Sequence, residues 1–143
     1  MSGRRWLALA VLAGCINEDV RLYEVALTGE VLAPGASEGR VMLELHHASR
    51  GAGELATPLG RFDALELERP GAVAWETLVP IDDGEGLVLY AWLDVDGDGL
   101  LCGLDAAPEP AGLVELKAFP AHALTFSLTL AAPCASPSAL YPP

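Results

Sequence analysis

Alternation with a period of two constrains this chain more than any other feature. The run Leu124-Thr125-Phe126-Ser127-Leu128-Thr129-Leu130 is apolar at every even position. Successive side chains of a strand point to opposite faces, so this row predicts one face on a core and one in water. Val73, Trp75, Thr77 and Val79 form a similar row. Val41, Leu43, Leu45 and His47 form another, with Met42, Glu44 and His46 opposite. Tyr23, Val25 and Leu27 predict a first strand that continues past Gly29 toward Val31, and Leu65 and Leu67 a short one. Leu87 to Leu93 is apolar throughout, which predicts a central strand covered on both faces. Val114 and Leu116 predict another before Phe119-Pro120. Past residue 15 no helical period survives, because 11 prolines and 15 glycines punctuate the chain.

The expected fold is therefore all-β: a two-sheet antiparallel β-sandwich of about seven strands, immunoglobulin-like or transthyretin-like, after an N-terminal signal helix. Turns fall at Pro34-Gly35, Arg69-Pro70-Gly71 and Asp82-Asp83-Gly84. Residues 51–60 read as a loop, since Gly51, Gly53, Pro58 and Gly60 all lie there. The sandwich is expected over residues 20–134, and residues 135–143, with Pro137, Pro142 and Pro143, are expected to form a loose tail. With 143 residues the chain suffices for one domain with a core.

Trp6 to Gly14 is the one run apolar enough to meet a membrane. A spanning helix needs about 20 apolar residues, so this run has the length of a signal-peptide core instead, and Arg4-Arg5 precedes it. Leu12-Ala13-Gly14-Cys15 resembles the lipobox of bacterial lipoproteins: an aliphatic residue, two small residues, then cysteine. The resemblance implies a signal peptide at 1–14, cleavage before Cys15 and acylation of Cys15. It implies a tether at 15–19 and attachment to the membrane through lipid. Two or more acyl chains give a stable anchor where one is marginal. An ordinary secretory signal with a chance cysteine is the competing reading. Arg4-Arg5-Trp6-Leu7 matches a twin-arginine signal in part, while the short apolar core favours the general export route. Ile16 rather than Asp follows Cys15, which by resemblance to enterobacterial sorting implies the outer membrane rather than the inner.

The formal charge of the whole chain is −12, and removing Arg4 and Arg5 leaves six bases against 20 acids, a formal −14. Such a surface repels nucleic acid and attracts cations. With Cys15 committed to lipid, Cys102 and Cys134 remain. An export route ends in an oxidising compartment, where a lone pair most simply forms a disulfide. The alternatives are free thiols or a metal site, and two sulfurs without a nearby histidine make a poor zinc site.

Asp94-Val95-Asp96-Gly97-Asp98-Gly99-Leu100 matches the D-x-D-x-D-G start of an EF-hand-type calcium loop. Carboxylates at positions one, three and five of a tight turn converge on one point, and Gly99 at position six permits the bend. The Leu100 carbonyl is expected at position seven. Asp105 takes position twelve, where a full loop has a bidentate glutamate, and Glu109 lies close enough to substitute. A strand before the loop, and Gly103, Pro108 and Pro110 after it, predict a calcium loop between strands rather than a helical EF-hand pair. The competing reading is an acidic turn without metal. Magnesium fits less well, because it demands tighter octahedral geometry.

The stretch Leu89-Tyr90-Ala91-Trp92-Leu93 with its acidic loop, continued by Pro108-Glu109-Pro110-Ala111-Gly112, resembles a group of exported bacterial β-sandwich domains. These domains are similar to the carboxypeptidase-regulatory and transthyretin-like sandwiches. Gly29-Glu30-Val31, Pro34-Gly35 and Arg40-Val41-Met42-Leu43 resemble their opening strands. Cys102 departs from the polar residue that the pattern carries. The resemblance implies no particular reaction.

No catalytic residues are expected. His46 and His47 are adjacent on a strand and point to opposite faces, and His122 reads as a surface turn residue. The chain lacks a G-x-S-x-G elbow, an H-E-x-x-H helix and a phosphate loop. The expectation is a non-enzymatic accessory domain with an envelope protein or glycan partner. One alternative is a carbohydrate or small-molecule carrier using Trp75, Trp92 or the 51–60 loop. A metal-dependent hydrolase is the other.

Overall fold

The computed structural model describes residues 21–51, 54–80, 86–103 and 107–141. The expected signal peptide, Cys15, the tether and the Asp82-Asp83-Gly84 turn lie outside the described residues, as does Asp105.

Eight strands form two sheets. They are β1 (Leu22–Leu32), β2 (Arg40–Gly51), β3 (Glu54–Leu67), β4 (Gly71–Pro80), β5 (Gly86–Asp94), β6 (Pro110–Glu115), β7 (Ala123–Thr129) and the two-residue β8 (Ala132–Pro133). The smaller sheet has the order β4-β1-β7 and the larger β3-β2-β5-β6-β8. This is the expected all-β sandwich. Every pairing is antiparallel except one: β1 and β7 run parallel, with Leu27 opposite Leu124.

Alternation decides which side chains meet. From the smaller sheet, Val25, Leu27, Val31, Val73, Val79, Leu124, Phe126 and Leu128 face the larger sheet's Val41, Leu43, Leu45, Leu87, Leu89 and Leu93, all in one buried cluster. At about 25 cal/mol per Å² of apolar surface removed from water, this layer is the main term holding the sheets together. Gly112 marks a close approach, since a Cβ there would collide with the Thr129 carbonyl and so hold β6 and β7 apart.

β5 is buried along its whole length, as its unbroken apolar run predicts. Its odd residues enter the core between the sheets. Its even residues face outward and are covered by the C-terminal segment. Leu140 and Ala135 pack with Tyr90, Trp92 and Ala111, and Tyr141 packs with Ala48 and Val88. Tyr90 Oη donates to the Ala135 carbonyl at 2.9 Å. The segment expected as a loose tail is thus an ordered cover as far as Tyr141, with a 3-10 turn at Pro137–Ala139.

Residues expected as a loop from 51 to 60 instead belong largely to strands. β2 runs to Gly51, β3 begins at Glu54, and Pro58 pairs with Ala48 beside a register irregularity. Proline is tolerated there because β3 is an edge strand, where a missing N–H costs no ladder bond.

Candidate metal centre

The acidic loop joins β5 to β6 at the end of the larger sheet where β2 begins. Register puts Arg40 directly opposite Asp94. The Asp94 carboxylate is fully buried, and a buried charge requires a partner. Arg40 Nη2 supplies one, donating to Asp94 Oδ2 at 2.7 Å and to the Gly97 carbonyl at 3.1 Å. Arg40 Nη1 reaches Glu66 Oε1 at 3.2 Å. The other Asp94 oxygen, Oδ1, accepts the Gly97 amide at 2.8 Å.

The turn then closes through its own side chains. Asp96 Oδ1 accepts the Asp98 amide at 3.0 Å, and Asp98 Oδ1 accepts the Leu100 amide at 2.7 Å. Gly97 and Gly99 adopt φ values of 80° and 76°, a left-handed geometry that glycine enters without penalty. The bend assigned to Gly99 is therefore present.

Glu109 completes the arrangement from the far side. It is fully buried. Its Oε1 accepts the Val95 amide at 2.9 Å and its Oε2 the Cys102 amide at 2.7 Å. One residue thereby ties both ends of the loop to the start of β6. Cys102 and Cys134 form a disulfide, and the Cys134 amide donates to the Glu109 carbonyl at 2.8 Å.

Asp94, Asp96 and Glu109 each bring a carboxylate oxygen within 4.8 Å of the others. Three hard oxygen donors at this spacing can hold a metal ion. Of the residues expected from the loop pattern, Asp94 and Asp96 are in this group, and Glu109 joins them from outside the consecutive turn. Asp98 is not in the group, and neither it nor Leu100 is buried. Arg40 is the participant that sequence reasoning missed. Its link to Asp94 arises from strand pairing, for which a single sequence carries no signal.

The histidines separate as alternation requires. His46 turns outward, donating from Nε2 to Glu44 Oε2 at 2.8 Å and meeting Tyr90 edge-on. His47 stacks on Phe62 with ring centroids 4.6 Å apart, beside the core. Arg61 Nη1 reaches Glu44 Oε1 at 3.3 Å. Donation from His46, more than the nearby charges, holds the Glu44 carboxyl below its ordinary range and outweighs the opposing effect of burial. His122 is exposed, stacked on Tyr23, with Nδ1 donating to the Glu24 carbonyl.

The two strand tryptophans, weighed in the sequence as core residues or as the rim of a glycan site, both contact buried clusters. Trp92 lies buried under the C-terminal segment, and Trp75 packs against the core.

Comparison with protein-family models, with curated proteins and with solved structures finds no match. Among the described residues no helix is long and apolar enough to cross a membrane.

Proposed function

We propose that this chain is a lipid-anchored, non-enzymatic envelope lipoprotein whose β-sandwich binds calcium as a structural ion at the acidic loop. The reading is carried by the convergence of Asp94, Asp96 and Glu109 next to the Cys102–Cys134 disulfide. Oxygen-only donors favour calcium over softer transition metals, and calcium accepts irregular geometry where magnesium demands a near-ideal octahedron. Arg40 already neutralises part of the Asp94 charge, so a cation shares that carboxylate with a guanidinium. This sharing favours weak binding, in the roughly 10⁻⁴–10⁻³ M range of extracellular modules. The Leu12-Ala13-Gly14-Cys15 tetrapeptide supports acylation of Cys15, and Ile16 after it supports the outer membrane, where a partner would be an envelope protein or glycan.

Two measurements test this. Calcium at ten times Kd adds about 1.4 kcal/mol to stability, so the melting point with calcium is expected to exceed that in chelator by several degrees. Identical melting points dismiss the structural ion. Mass spectrometry of the protein from its native membrane is expected to find an acylated Cys15 as the first residue. An intact leader with a free thiol dismisses the anchor.

A further inference from the structure

We propose that the sandwich meets the lipid surface tilted, with the outer face of the smaller sheet turned to lipid at the end carrying Leu22, Leu78 and Pro80, so that the acidic loop at the opposite end is lifted away from the membrane. The inference rests on the reading of Cys15 as the anchored residue and adds the face that meets the lipid.

β1 starts at Leu22 and pairs antiparallel with β4, so that Leu22 lies opposite Pro80 and Glu24 opposite Leu78. All four are even-numbered residues on the sheet face turned away from the core. Leu22 and Leu78 are thus diagonal neighbours, roughly 7–8 Å apart by strand geometry. Each is 55% exposed. One exposed leucine on a protein surface needs no explanation. Leu22 and Leu78, with Pro80 beside them, form a small apolar patch at the start of β1.

Chain length names the occupant. Six residues lie between Cys15 and Leu22, so seven Cα steps span at most about 25 Å of extended chain. An acylated Cys15 sits in the bilayer, so this end of the sheet is held within that distance of the lipid. The far end is carried off by the strands themselves. β2 and β5 pair from Ala48–Gly86 to Arg40–Asp94, and the nine residues of β5 span about 27 Å. Leu32, Val95 and Leu100, 42%, 45% and 64% exposed, belong to that distant end, so it is the tether and not exposure that selects the Leu22 end.

The chemistry of the patch selects the kind of lipid. Glu24 lies beside Leu78, and Glu76 follows on the same face. Carboxylates here oppose an anionic bilayer, so the contact is apolar and made with zwitterionic lipid.

The test uses the full chain processed by its host, with lipid on Cys15 verified by mass. The protein is reconstituted into vesicles of phosphatidylethanolamine and phosphatidylcholine. Hydroxyl-radical oxidation is then read residue by residue. Leu22, Leu78 and Leu100 share one intrinsic reactivity and similar exposure, so they serve as mutual references. Leu22 and Leu78 are expected to be oxidised several-fold less than Leu100. In the exposed variant Leu78→Gln, oxidation of Leu22 is expected to rise. Equal oxidation of the three leucines on lipid-bearing protein overturns the orientation while leaving the anchor standing, and so does selective protection of Leu100. Absence of lipid on Cys15 removes the anchor, and the orientation with it.

Discussion

Cys102 and Glu109 hold each other reciprocally: the Cys102 amide donates to Glu109 Oε2 at 2.7 Å, and the Glu109 amide donates to Cys102 Sγ at 3.3 Å. The pair closes the acidic loop, and the disulfide to Cys134 fixes it to the segment that covers β5.

Glu109 is the first residue to test. Glu109→Ala leaves the part-buried Val95 and Cys102 amides without their acceptors. A loss of about 1–3 kcal/mol is expected, the range for an unsatisfied donor. Urea denaturation in chelator measures it apart from any metal. A loss too small to resolve by that method means the loop is held by other bonds.

Breaking the disulfide enlarges the unfolded ensemble. Cys102 and Cys134 are 32 residues apart, which corresponds to about 3–4 kcal/mol in the chain-entropy model. Dithiothreitol, or the paired substitution of both cysteines by alanine, is expected to lower the urea midpoint accordingly. The calcium-dependent shift in melting point is expected to shrink as well, because Glu109 loses its fixed neighbour.

Arg40 is expected to compete for Asp94 with any cation bound at the loop. Arg40→Gln is expected to destabilise the metal-free protein, since the buried Asp94 carboxylate loses its counter-charge. The same change is expected to tighten calcium binding severalfold in isothermal titration. Weaker binding means that Arg40 positions the loop rather than competing for it.

Acid stability is expected to depend on Glu44. Its folded carboxyl lies below the ordinary value of 4.5, first because of the His46 hydrogen bond. A depressed acid contributes stability in full above its unfolded pKa and loses it as pH falls through the folded one. Wild-type stability is therefore expected to fall more steeply than that of Glu44→Gln between about pH 5 and 3. Parallel curves across that window would show that the His46 contact is energetically idle.

Elements defined by their own side-chain pattern were legible in the sequence. β7 buries Leu124, Phe126 and Leu128 and exposes Thr125, Ser127 and Thr129, as its alternation demands. β5 is covered on both faces, as its unbroken apolar run demands. Features that depend on which segments meet were not legible. Pro58 and Gly60 read as loop residues because local rules do not say that β3 lies at an edge. The tail after Cys134 reads as loose because Leu140 and Tyr141 find their cover on the outer face of the larger sheet, across β2, β5 and β6. At the acidic loop, Asp94, Asp96 and the bend at Gly99 followed from spacing. The Glu109 amide acceptors and the Arg40 partner followed only from register.

The parallel pairing of β1 with β7 also governs when the molecule can exist as a folded object. Leu27 has no neighbour on that side until Leu124 has been made and released. A growing chain therefore presents that edge of β1 open, ready to pair with whatever strand reaches it first. A C-terminal truncation within β7 therefore leaves β1 held by β4 alone, with its other edge bare.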